Sequence, residues 1–356
     1  MIIQLIQVAI GQRVKLSRVL TQEEWRDIFE QAMLQAVAGI CFAGLEKLPK
    51  EQWPHKELLY EWIGLVEGIK QRNILLDKQT AEIWLQLKES GLSAVVLKGQ
   101  GIALEYEELS NFRQSGDIDL WVDGGYQRVC DFVQRTHPSC DLAYHRFHYD
   151  AFPDTEVELH HRPTLMRNFL DDRKLSKWYE GFDANKFIYL SEKGFAIPPS
   201  DFNVIFILTH IYRHFLFEGV GLRQVMDYYF VLKNHSYNLK ILEIRKTLHS
   251  LRLEKFACAM MWVLYSQFGL GKDKLICSPN AKEGAFLLNE ILLTGNFGQA
   301  DKRYNYKRFY KLRHQLSHGC NLLLHYPSEI LWTPVWLIYH WFWKRQKKRN
   351  IKRLSK

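Results

Sequence analysis

Between residues 21 and 90 apolar side chains recur at helical spacing. Thr21-Gln22-Glu23-Glu24 has the form of a capping box, in which Thr and the Glu three residues on satisfy each other's backbone N–H groups. The apolar-periodic stretch behind it continues to Leu45. After a loop around Pro49 and Pro54, residues Lys56 to Ser90 place Leu59, Ile63, Val66, Ile69, Ile74, Leu75, Ile83 and Leu87 at positions that predict one long helix. Gly91 is expected to end it as a C-cap glycine. Beyond Gly91 the period changes. Ala94-Val95-Val96-Leu97 is a continuous apolar run, which predicts a short buried strand. Asp117 to Val122 alternates polar and apolar, as does Glu156 to His160, and each predicts a strand with one polar face. Ala143 to Tyr149 is expected as a further strand, and Gly124-Gly125 as the opening of a helix to about Arg135. From Pro198-Pro199-Ser200-Asp201 onward helical spacing returns, over about 201–217, 221–234, 238–249, 252–268 and 282–294.

These changes of period divide the chain into four parts. Residues 1–90 form an N-terminal helical region, 91–195 a mixed α/β domain, 196–329 a C-terminal helical domain, and 330–356 an aromatic segment with a basic tail. The expected class is α+β.

Composition, charge and segment patterns add four constraints. With 356 residues, 47% of them apolar, the chain has ample material for a core and is neither disordered nor fibrous. The net charge of +9 suggests nucleic acid at first sight, but it is concentrated. Lys344 to Lys356 holds eight basic side chains and no acid, which leaves the remainder close to neutral. The six cysteines, Cys41, Cys130, Cys140, Cys258, Cys277 and Cys320, show neither C-x-x-C nor zinc spacing and suit a reducing compartment. The first twenty residues have no basic residue before Arg13, unlike a signal peptide, and no apolar run reaches the ~20 residues of a spanning helix. A cytoplasmic protein is expected.

The candidate chemistry lies in the alternating strands. Side chains two apart on a strand share a face, so Asp117 and Asp119 should project together while Ile118, Leu120 and Val122 enter the core. Adjacent carboxylates repel, and a divalent cation between them relieves the repulsion. Glu158, with Glu156 and His160 on the same face of a second strand, would complete a Mg²⁺ site for in-line phosphoryl or nucleotidyl transfer. The plainer alternative is that both patterns are solvated strand faces. Lys98-Gly99-Gln100-Gly101 supplies the context. A glycine turn between a buried strand and a short helix presents backbone N–H groups to phosphate, and Lys98 adds a cation. Arg113, four residues before Asp117, has phosphate or the carboxylates within reach.

Leu97-Lys98-Gly99, Tyr106, Arg113 and Asp117-Ile118-Asp119-Leu120 together resemble the uncharacterised nucleotidyltransferase family of the polymerase-beta-like superfamily. Glu158-Leu159-His160 is similar to that family's later [DE]-x-H signature, and His210, Gly221-Leu222-Arg223 and Asp227 to its helical C-terminal part. Gln100 departs from the Gly or Ser usual in the superfamily after the first glycine, and Glu156 offers a rival third carboxylate. The resemblance implies a five-stranded mixed sheet flanked by helical regions, and transfer of a nucleoside monophosphate from an NTP to an acceptor with release of pyrophosphate. It implies Asp117, Asp119 and Glu158 as catalytic metal ligands for Mg²⁺, or Mn²⁺, in a two-metal site. Lys98, Gly99, Gln100, Gly101 and Arg113 would bind the nucleotide, with His160 and Glu156 beside the metal ligands. The acceptor, whether nucleic acid, small molecule or protein, is not implied. The alternative is an inactive nucleotide- or nucleic-acid-binding module on the same fold.

Other features have plainer readings. His145, His148, His160 and His161 lack zinc spacing and read as strand-face side chains. His210 and His214 read as helix-surface or core histidines, and Arg223 with Asp227 as an i,i+4 ion pair. Asp301 to Arg313 interleaves six basic residues with aromatics and reads as a basic amphipathic helix. Ile330 to Trp343 holds four Trp and is expected to pack on the body. A bilayer interface or an acidic partner such as nucleic acid remain the open alternatives for it and the basic tail.

Overall fold

The computed structural model describes residues 1–137, 143–182, 187–235, 239–301 and 321–354, with side chains to Gln346. Helices α1 (Ile2–Ala9), α2 (Gln22–Leu34), α3 (Ala38–Glu46) and α4 (Lys56–Glu89) come first. The capping box forms: Thr21 Oγ1 accepts from the Glu24 N–H at 3.2 Å, and the Thr21 N–H donates to Glu24 Oε2 at 2.9 Å. The helix expected to reach Leu45 breaks at 35–37, where Ala36 takes φ +54°. The cause is long-range. Gln35 is fully buried, accepts from the Leu222 N–H at 2.9 Å and donates to the Ile291 carbonyl at 3.1 Å. Helix α4 ends as expected, with Gly91 N–H bonded to the Lys88 carbonyl and Leu92 N–H to that of Leu87. Its buried face differs from the one expected, since Ile63 and Ile74 are exposed while Asn73, Gln79 and Thr80 are buried.

The sheet comprises β1 (Ala94–Val96), β2 (Ile118–Val122), β3 (Arg146–His148) and β4 (Val157–His160), in the order β1-β2-β4-β3. Strands β2 and β4 run parallel, and the outer pairs are antiparallel. Among the described residues this sheet has four strands, not the five expected. Phe195–Ile197 (β6) lies beside β1 but pairs with Ile188–Leu190 (β5) as a separate hairpin. Between these strands come α5 (Gln100–Ala103), a 3₁₀ segment over Leu104–Phe112, α6 (Gly125–Thr136) and α7 (Phe169–Glu180). Asn168 caps α7 by accepting from the Leu170 N–H at 3.0 Å.

The C-terminal half is helical: α8 (Ser200–Phe217), α9 (Leu222–His235), α10 (Ile241–Ser250), α11 (Glu254–Phe268), α12 (Ala281–Thr294) and α13 (Pro327–Leu354). One continuous core joins α1, α3, α4, the sheet, α8, α9 and α11, so the parts share buried side chains. Residues 302–320, which include most of the basic-aromatic stretch, lie outside the described residues. Among the described residues, helix α13 packs on the body by one side. Trp332 meets Phe169 and Trp343 meets Tyr144 edge-on, whereas Leu331, Ile338, Trp341 and Phe342 are exposed. No helix among the described residues is long and apolar enough to cross a membrane.

Candidate active site

The parallel pairing of β2 with β4 sets Asp119 directly opposite Glu158 in register. Both point away from the core-facing Leu120 and Leu159, as the alternation requires. Their carboxylate oxygens and His160 Nε2 lie within 4.8 Å of one another, and all three residues are buried. His160 Nε2 is 2.9 Å from Asp119 Oδ1 and 3.3 Å from Glu158 Oε2. Lys98 Nζ approaches Asp119 Oδ2 to 2.9 Å and Asp117 Oδ2 to 3.7 Å, and Arg146 approaches Glu158 Oε2 to 2.9 Å. These cations neutralise charge without aligned hydrogen bonds: Asp119 Oδ2 and Glu158 Oε2 accept none.

Electrostatics separates the two acids. Burial disfavours the Asp119 carboxylate, but Lys98 and His160 outweigh it and hold the group ionised well below the usual range. Burial dominates at Glu158, with Asp119 adding to it against the pull of His160, and its carboxyl is raised. Lys98 and His160 are both raised: burial opposes their charge, and the surrounding carboxylates overcome it.

Lys98 is placed by the Gly99 turn, whose φ of +56° with ψ of −114° is glycine backbone. A Cβ there would also press on the Asp117 carbonyl at 3.3 Å. Behind the turn, Gln100 is buried and its amide donates to Asp77 and to the Asn73 carbonyl, so its side chain faces α4 rather than the cleft. Gly101 packs on β1, where a Cβ would meet the Val96 carbonyl at 3.1 Å. Arg113 borders the cleft, but its guanidinium is held by Asp227 in a two-point pair at 2.7 and 2.8 Å. Tyr106 donates to the same carboxylate at 2.6 Å. The i,i+4 pair expected between Arg223 and Asp227 is therefore replaced by a pair between α9 and the residues before β2. Arg223 instead donates to the Gln114 carbonyl at 3.0 Å and lines the cleft, with its Nε unpartnered.

A cleft of about 440 Å³ opens over this floor between Lys98, Asp117, Glu158, His214, Arg223 and Phe297. A smaller recess continues inward past Phe206 and His210. Of the two readings expected for His210 and His214, helix surface or core, the buried one holds for His214; the rings are 4.3 Å apart between centroids, with His214 lining the cleft and His210 its inner recess. Glu156 sits at the rim with its side chain 60% exposed and bonded to His148 at 2.9 Å, whereas Glu158 is on the floor. Asp117, just ahead of β2, is partly exposed and outside the Asp119–Glu158–His160 group. His145 is buried with both ring nitrogens unpartnered and is held neutral by burial and nearby cations. Sequence reasoning missed Arg146 and Phe297. The first alternates with Phe147 on β3 and was open to detection, and the second has no local signal.

The donor set fits a divalent cation. Two buried carboxylates sit opposite one another in register beside His160, paired for now with Lys98 and Arg146, and oxygen donors of this kind suit Mg²⁺ or Mn²⁺.

The chain belongs to the family described as uncharacterised nucleotidyltransferase, which matches it over residues 21–269. No curated protein matches. An antigenic nucleotidyltransferase-like protein from Paracoccidioides brasiliensis is similar at 14% identity over 55% of this chain and 92% of that one, with a TM-score of 0.31. That likeness is too distant to bear on residue roles.

Proposed function

We propose that this chain is a Mg²⁺- or Mn²⁺-dependent enzyme that transfers a nucleoside monophosphate from an NTP to an acceptor hydroxyl. The observation that carries the reading is the in-register pairing of buried Asp119 with Glu158, which lies on the floor of a cleft that also holds Lys98. Asp119 and Glu158 would hold the cation, with Asp117 beside them at the entrance. A bound cation would neutralise charge on the phosphoryl oxygens and acidify the attacking hydroxyl. Lys98 and Arg223 orient the triphosphate, and the Gly99 turn holds Lys98 in place. His160 fixes the Asp119 carboxylate through its ring nitrogen. Glu158, at the cation and on the cleft floor, is the carboxylate placed to take the acceptor proton.

Incubation with α-labelled NTPs, Mg²⁺ and acceptors of the three classes tests this. Label transfer with pyrophosphate release is expected, falling by at least about 10³-fold in Asp119→Asn. Unchanged transfer in that variant would remove the metal role. The Lys98–Asp119 and Arg146–Glu158 contacts favour one second reading, a nucleotide-binding module whose acids are neutralised internally. Nucleotide binding that is indifferent to Mg²⁺, with no transfer, would support it.

A further inference from the structure

After α12 the chain crosses the mouth of the cleft at residues 295–299. Phe297 lines both the cleft and its inner recess, yet it is 45% exposed. Its backbone sits at φ +53°, ψ +32°, a left-handed conformation that is uncommon and strained for a bulky residue. The surrounding turns hold it there. A Cβ on Gly219 would come within 2.5 Å of the Gly298 nitrogen, and a Cβ on Gly295 within 2.9 Å of the Leu34 carbonyl. Asn296 Oδ1 accepts from Gln224 at 3.2 Å and Arg223 at 3.5 Å. The ring itself is braced from one side by His214, with centroids 5.3 Å apart and planes at 69°. His214 is buried and 2.8 Å from Glu218.

Burial alone does not account for this arrangement. A phenyl ring seeking the core would turn inward and need no strained backbone. Here a clamped loop and a buried histidine present the ring to a cleft that also contains Lys98 and Arg223. We propose that Phe297 is the platform on which the nucleobase of the NTP stacks, with the triphosphate directed toward Lys98 and Arg223. This rests on the nucleotidyl-transfer reading and adds the contact that would distinguish an NTP from bare polyphosphate. Phe297 lies outside the family match at 21–269.

The test is calorimetric titration of the full chain with ATP and with inorganic tripolyphosphate, each with Mg²⁺. Wild type should bind ATP at least about fivefold more tightly, from the usual strength of base–aromatic stacking. Phe297→Asn keeps a residue that tolerates the left-handed backbone and removes the ring. Its ATP preference should fall to near one, while Phe297→Tyr should retain it. An unchanged preference in Phe297→Asn, or equal binding of the two ligands by wild type, would overturn the platform and leave the transfer reading standing. Failure of wild type to bind either ligand would remove the reading itself. Phe297→Trp gives a readout independent of whether the Asn variant folds. Its added indole fluorescence should be quenched by ATP and not by tripolyphosphate, and quenching by neither would also overturn the platform.

Discussion

Arg113 donates two hydrogen bonds to Asp227, 114 residues away in sequence, and both side chains are buried. Removing one partner strands a buried charge, so Asp227→Ala should destabilise the fold by about 3–5 kcal/mol, read as a lower midpoint in urea. A loss below about 1 kcal/mol would mean that the pair is solvated in solution. Helix spacing alone favours Arg223 as the partner of Asp227, because i,i+4 neighbours are the only contacts a single sequence displays. The pairing with Arg113 depends on how α9 meets the segment before β2. The carboxylates were legible differently. Alternation correctly put Asp119 and Glu158 on polar strand faces, but it gave Asp117 the same standing as Asp119 and could not rank Glu158 above Glu156. Register and burial make both distinctions. Asp119 and Glu158 are paired across β2 and β4, while Glu156 stands at the rim.

Among elements, those with strong local signals were readable: the capped start of α2, the length of α4, and β2 and β4 to within a residue. Most of those that were missed are short or held from afar, and α7 is the exception. Helix α7 carried a usable signal in Asn168 ahead of Asp171 and Asp172, an N-cap with acids in the first turn. The β5–β6 hairpin has only three residues on each side. The break after α2 answers to Gln35 and its partners on α9 and α12. Two elements give predictions. The Gly99 turn admits only glycine backbone, so Gly99→Ala should displace Lys98 and weaken tripolyphosphate binding about tenfold or more. Unaltered binding would show that the turn does not position Lys98. Helix α13 is docked by Glu329, which accepts from the Arg167 and Asn168 N–H groups at 2.7 and 3.1 Å. Burial pushes this carboxyl up to about 7 against those bonds. Because the folded state holds the proton more tightly, stability is fully present below the ordinary carboxyl range near 4.5 and falls as pH rises to about 7. The decline should be on the order of 3 kcal/mol, and Glu329→Gln should lack it, whatever its absolute stability. Identical pH–stability slopes for the two proteins would contradict the assignment.

Across the whole molecule the charge and the chemistry are separate. The basic excess belongs to the C-terminal tail, while the cleft floor is carboxylate-rich and assembled from the central sheet under α8 and α9. The family match of 21–269 spans that floor and stops short of the Phe297 loop and α13. The proposed activity requires Asp119 and Glu158 to act together on one cation. Mn²⁺ binding followed by electron paramagnetic resonance, in the presence of a non-hydrolysable ATP analogue, measures this without knowledge of the acceptor. Wild type and Glu156→Gln should bind Mn²⁺ alike, whereas Asp119→Asn and Glu158→Gln should each lose at least about tenfold in affinity. Full Mn²⁺ binding in both of those variants would contradict the account, as would its loss in Glu156→Gln alone.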